Sequence, residues 1–164
     1  MENRTSEELV YEYINGTNLT AIEEKEFFHH LSILDWNKIS EDYGEDFSFK
    51  ILKKVQDTET NNLENMSNII LLYNNPYGKF TKEFGEIITK LYLKDKIQFM
   101  KALNLVKDET INIVYVFRLE KTFPNDYTED DLKEILNSNK LTDEEKETAR
   151  MFFTMYRNIC VSCL

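Results

Sequence analysis

Only 4 glycines and 2 prolines punctuate the 164 residues of this chain. Short strands reverse direction on turn residues placed at regular intervals, so such a sequence is poorly equipped for sheet-and-turn architectures. An all-α fold is the expectation. At this length a single domain buries roughly 70% of the surface its unfolded chain exposes, enough for a core that needs neither metal nor disulfide.

Helix starts are legible. A Ser or Thr followed three places later by an acid can satisfy two orphan backbone donors at once. Thr5 with Glu8, Thr20 with Glu23, Thr128 with Asp131 and Thr142 with Glu145 have that spacing. The first opens a helix ended at Gly16, where a left-handed glycine would close it. Further helices are expected at 21–34, 36–43 (ended by Gly44), 47–56 (capped by Asp46), 62–73, 79–93, 95–106 and 109–121. The spacing of Phe80, Phe84, Ile87, Ile88 and Leu91 marks one face of an amphipathic helix. Around Leu63, Met66, Ile69 and Ile70 the apolar face widens, which predicts an enclosed core element. The run 111–119 is rich in β-branched and aromatic residues that also suit a strand. Helix is favoured there, because Asp108 can cap it and a lone strand would leave its hydrogen bonds unmade.

The expected architecture is therefore all-α, with about eight or nine short amphipathic helices in antiparallel pairs, since short links force neighbours to run antiparallel. The middle of the chain resembles a loose HEAT-type, solenoid-like helical stack, and a compact orthogonal bundle explains the same pattern. The resemblance is architectural, without a repeat signature. One helical domain is expected over 1–164.

The chain carries 30 acids against 20 bases, a net −10. That balance is unevenly spread. Residues 1–46 hold 12 acids and 3 bases, residues 47–121 hold 9 and 12, and residues 122–164 hold 9 and 5. The acidic N-terminal helices are thus expected to dock against the mildly basic middle, and the C-terminal helices are acidic again. Duplex nucleic acid is a poor partner for such a surface, which lacks the clustered cations that release counterions. A local stripe such as Lys50, Lys53 and Lys54 softens that exclusion. No run approaches the roughly 20 apolar residues of a membrane span. The start of the chain lacks the form of a signal peptide. A cytoplasmic protein is expected, although a chain trimmed of an export signal would read the same way.

Chemical motifs are few. Cys160 and Cys163 have redox or metal-binding spacing, but they continue the apolar stripe Ala149, Phe152, Phe153 and Tyr156, which makes them core residues. A redox pair would favour a helix N-terminus, and this one lies at a C-terminal end. His29 and His30 point about 100° apart on a helix, a poor arrangement for one metal. One should border the core and the other face water. Three acid runs occur: Glu23-Glu24-Lys25-Glu26, Glu41-Asp42 with Glu45-Asp46, and Glu129-Asp130-Asp131. The first and third fall in first turns of helices, where acids meet the helix dipole. The second flanks Gly44 and has the most freedom. No phosphate loop is present, and no Ser or Cys nucleophile has a histidine partner in a known motif. No metal, cofactor or catalytic residue is assigned.

These observations favour a non-catalytic acidic helical protein that binds another protein, one meeting a basic partner as immunity proteins and nucleic-acid-mimicking inhibitors do. The partner-binding candidates are Glu41, Asp42, Glu45, Asp46 and Tyr77, the last because the 74–78 turn places it between two helices. The alternatives are a metal-dependent or acid–base enzyme built from carboxylates distant in sequence, and a structural or adaptor helical-repeat module. An exposed apolar groove between helices would mark the adaptor.

Overall fold

The computed structural model of the protein describes residues 3–74 and 80–159. Among them lie ten α-helices and no strand: α1 Ser6–Asn15, α2 Ala21–Ser32, α3 Trp36–Tyr43, α4 Glu45–Asp57, α5 Leu63–Ile70, α6 Thr81–Lys94, α7 Lys96–Leu105, α8 Thr110–Leu119, α9 Glu129–Leu136 and α10 Asp143–Asn158. The run 111–119 is helical, with Ile113, Val114, Val116 and Phe117 buried on one face. The contacts group into two compact units, residues 1–84 and 85–164, divided within α6 between Phe84 and Gly85.

Local chemistry explains most of the boundaries. The boxes at Thr5, Thr20 and Thr142 close in full, each threonine accepting from the third residue on while that residue's glutamate accepts from the threonine N–H. Four expected ends are corrected. Thr128 makes no side-chain cap, because its backbone (φ −121°, ψ −6°) lies outside the extended conformation an N-cap adopts. Its partner Asp131 is instead taken up by Tyr92 and Lys96. Asp46 lies inside α4, which Gly44 precedes as the N-cap with φ 88°. That positive φ suits only a glycine comfortably. Gly16 is extended (φ −78°, ψ 176°), not left-handed. Asp108 sits in a 3₁₀ turn, and Thr110 Oγ1 donates to the Lys107 carbonyl at 2.6 Å at the start of α8, which has no side-chain cap.

In the first unit, α2 packs on α1 and α5, α3 packs on α4, and α1 touches α4. Phe27, Phe28 and Leu31 of α2 are fully buried, and α5 is enclosed along Met66, Ile69 and Ile70. Tyr11 stacks on Tyr43 with ring centroids 4.2 Å apart, and Phe47 joins both. The acidic N-terminal helices do meet the middle ones here, but apolar burial is the main cause. The ion pair between α2 and α5 joins Lys25 to Glu64 at 3.0 Å, with the cation on the acidic segment.

The second unit is built around α10, which packs against α7, α8 and α9. In a row of stacked pairs each unit touches only its neighbours. A single helix gathering three others is the arrangement of a compact bundle. Ala149, Phe152, Phe153 and Tyr156 form its buried stripe as expected, while Cys160 and Cys163 lie outside the described residues. Tyr92, Phe99, Phe117, Phe123, Phe152, Phe153 and Tyr156 make a continuous aromatic core, with neighbouring centroids 5.0 to 6.0 Å apart. Mostly edge-on or tilted rings at this spacing add about 0.5–1.5 kcal/mol per pair beyond their area burial.

Candidate functional site

Most acidic side chains of the first and third runs are committed to structure. Glu23 closes the Thr20 box, Glu26 accepts the Tyr13 hydroxyl at 2.6 Å, and the amide of Asn65 approaches Glu24 at 3.5 Å. Burial, then the bond to Glu26, pushes the Tyr13 phenol up to about 12. In the third run Tyr127 donates to Asp130 at 3.2 Å. Asp131 accepts from Tyr92 at 2.5 Å and lies 3.7 Å from the Lys96 ammonium. Burial followed by the Asp131 bond raises Tyr92 above its ordinary phenol range.

The corner between α3 and α4 is different. Glu41, Asp42, Glu45 and Asp46 are all exposed around Gly44. No described cation forms an ion pair with Glu41, Asp42 or Asp46. Glu45 and Asp46 occupy the first turn of α4, where the positive end of the helix favours their charge. Tyr77, expected beside them in function, lies outside the described residues.

Among the described residues, three open grooves stand out on the surface. One, of about 580 Å³, gathers Lys50, Lys53 and Lys54 of α4 with Asp46, Asp57, Phe49 and Ile14. The lysine stripe read from the sequence is therefore a real face, partly neutralised by the Lys53–Asp57 pair at 3.1 Å. A second, of about 500 Å³, runs along α6 past Thr89 and Leu93 to Glu120. The third, of about 550 Å³, lies between α8 and α10, with Ile111, Met151 and Met155 among its lining residues and Lys107, Asp108, Glu144 and Glu147 contributing its charges. The methionines escaped the sequence reading because the core stripe of α10 accounted for that helix. Their signal was the spacing of Met151 and Met155, one turn apart on a face beside the core stripe.

The structure also joins a serine to a histidine that no motif announced. Ser6 Oγ lies 3.0 Å from His30 Nδ1. His30 is half-buried and His29 exposed, the division expected of adjacent histidines. Burial first, then the neighbouring His29, lowers the His30 pKa, with Glu26 opposing. Neither Ser6 nor His30 lines any of the three grooves, and the bond joins α1 to α2. Among the described residues, no three His, Cys, Asp or Glu side chains converge in a way that could hold a metal ion. Nor is any described helix long and apolar enough to cross a membrane. Comparison with known proteins gives no assignment: no family model, no curated protein and no solved structure matches the chain.

Proposed function

We propose that this chain is a non-catalytic helical protein that binds another protein, and that the partner presents a basic surface. The supporting observation is the exposed α3–α4 corner, where Glu41, Asp42 and Asp46 stand without a described ion-pair partner while the other two acid runs serve caps and tyrosines. Unpaired surface carboxylates contribute little to folding stability. They attract and orient a cationic partner, raising association rates in a salt-dependent way.

The test is affinity capture from the source cell at low and high salt, in parallel with a chain carrying Glu41→Lys, Asp42→Lys and Asp46→Lys. A basic protein should be recovered at low salt, released at high salt, and lost with the triple substitution. A neutral partner, or one retained unchanged at high salt, overturns the electrostatic reading. A structural or adaptor role is the second reading, and the apolar groove between α8 and α10 is the feature that favours it.

A further inference from the structure

We infer that the α8–α10 groove is the docking site for an amphipathic helix of a partner protein, one whose apolar stripe is flanked by Lys and Arg. This rests on the protein-binding reading above and adds to the acidic corner a second, apolar contact with its own recognition mode.

The floor of the groove has the composition of an adaptable contact surface. Ile111 and Met151 remain 38% and 37% exposed, and Met155 is half-buried beside them. Methionine is unbranched and polarisable, so it reshapes around an incoming side chain at little cost. On α10 the lining residues Glu144, Thr148, Met151 and Met155 are spaced four, three and four apart, the interval that keeps one face toward a second helix. At 1.5 Å per residue that stripe runs about 16 Å, or three helical turns. An incoming helix would place side chains at i, i+3 or i+4, and i+7 along it. The groove is partly open to solvent, and a small ligand needs most of its surface enclosed.

Charge selects the kind of helix. Three carboxylates, Asp108, Glu144 and Glu147, line the groove against one cation, Lys107. Lys107 meets Glu144 at 3.3 Å with both side chains more than half exposed, and Glu147 is paired with Arg150. Exposed pairs of this kind are held by about 1 kcal/mol or less, so a partner's Lys or Arg can replace either cation without a large penalty. The opposite pattern, an acidic helix, would set like charges against three carboxylates.

Two synthetic helical peptides of about four turns serve as probes. They share one Leu-rich stripe at i, i+4, i+7 and i+11, and carry either Lys/Arg or Glu flanks. Methionine-methyl NMR of the full chain reports where each binds, with Met66 and Met100, 3% and 0% exposed, as internal controls. The basic peptide should shift the Met151 and Met155 methyls, leave Met66 and Met100 in place, and weaken with salt. Glu144→Lys with Glu147→Lys should reduce its affinity about tenfold and transfer the preference to the acidic peptide. Both positions are exposed, and an unchanged circular dichroism spectrum establishes that the variant is folded. Equal binding of the two peptides overturns the inference. So does a bound basic peptide that leaves Met151 and Met155 unmoved. If that peptide is released by the Glu41, Asp42 and Asp46 substitutions, the groove is wrong and the acidic corner stands. No binding of the basic peptide, combined with a salt-insensitive captured partner, sinks both.

Discussion

Arg118 is the residue on which the second unit turns. Its Nε and Nη2 donate to the Tyr156 carbonyl at 3.1 and 2.7 Å, its Nη1 meets Asp126 at 2.9 Å, and the guanidinium lies 4.3 Å from the centre of the Tyr156 ring. The carbonyl belongs to the last turn of α10, where none of the described residues offers it an intrahelical donor, so Arg118 acts as a cap reaching over from α8. Tyr156 returns a hydroxyl to Asp126 at 2.8 Å, and Asp126 is held with Asn125 in the left-handed region at φ 56°. That strain persists because the clamp over-determines it. The Arg118 side chain is 10% exposed. Arg118→Ala should therefore cost about 2–3 kcal/mol in urea unfolding, by loss of a largely buried, hydrogen-bonded charge. Arg118→Lys should recover less than half, since an ammonium lacks the rigid planar fork that sets Nε and Nη2 on the carbonyl while Nη1 meets the carboxylate. A loss below about 0.5 kcal/mol for the alanine variant would show that solvent replaces the clamp.

Among the elements, α9 and α10 show how far a capping pattern can be read. Both begin with Thr followed three places on by an acid, and only α10 uses it. Glu145 of α10 closes the box and also receives the Lys101 ammonium at 2.9 Å. Its burial works to raise the carboxyl pKa, but the bonds from the Thr142 backbone and Lys101 prevail and lower it. In α9 the acid is drawn away by Tyr92, a residue no local window contains. Thr142→Val should accordingly lose about 1 kcal/mol of stability by denaturant titration. Thr128→Val should stay within about 0.5 kcal/mol of the parent, because no cap bond is lost. Equal losses at the two positions would contradict the difference in geometry. The boxes that formed were legible because their donors and acceptors lie within one turn. Helix 111–119 was legible as a helix, but its start was not, since Asp108 entered a 3₁₀ turn. The binding candidates divide in the same way. The exposure of Glu41, Asp42, Glu45 and Asp46 followed from charge and a neighbouring glycine, whereas Ile111, Met151 and Met155 meet only when α8 packs beside α10.

For the molecule as a whole, stability should fall at both ends of the pH scale. His30 has a lowered pKa when folded, so below its ordinary value of 6.5 the unfolded chain takes up the proton first and folding weakens as pH falls. Glu145 adds a second loss below about 4.5, because its folded pKa is also lowered. Tyr13 and Tyr156 are pushed up to about 12, Tyr156 chiefly by burial and its bond to Asp126. Their contribution is present below the ordinary phenol value of 10.0 and is lost as pH rises toward 12. The urea midpoint should be flat near neutrality and decline on each side. His30→Gln should remove part of the acid decline between pH 7 and 5 and leave the alkaline one untouched, and an unaltered acid limb would refute the role given to His30. The sequence by itself determined the all-helical class, three complete capping boxes, the α10 core stripe and the acidic corner at Gly44. Each depends on side chains and backbone within a few turns of one another, or on a periodicity carried by a single helix. Only the tertiary structure decided which of two apolar stripes on α10 stays open, which histidine meets Ser6, and which aspartates are spent on tyrosines. The Ser6–His30, Tyr92–Asp131 and Tyr156–Asp126 bonds join residues 24 to 39 positions apart, and the open stripe depends on α8 lying beside α10, so packing, not local preference, makes these choices.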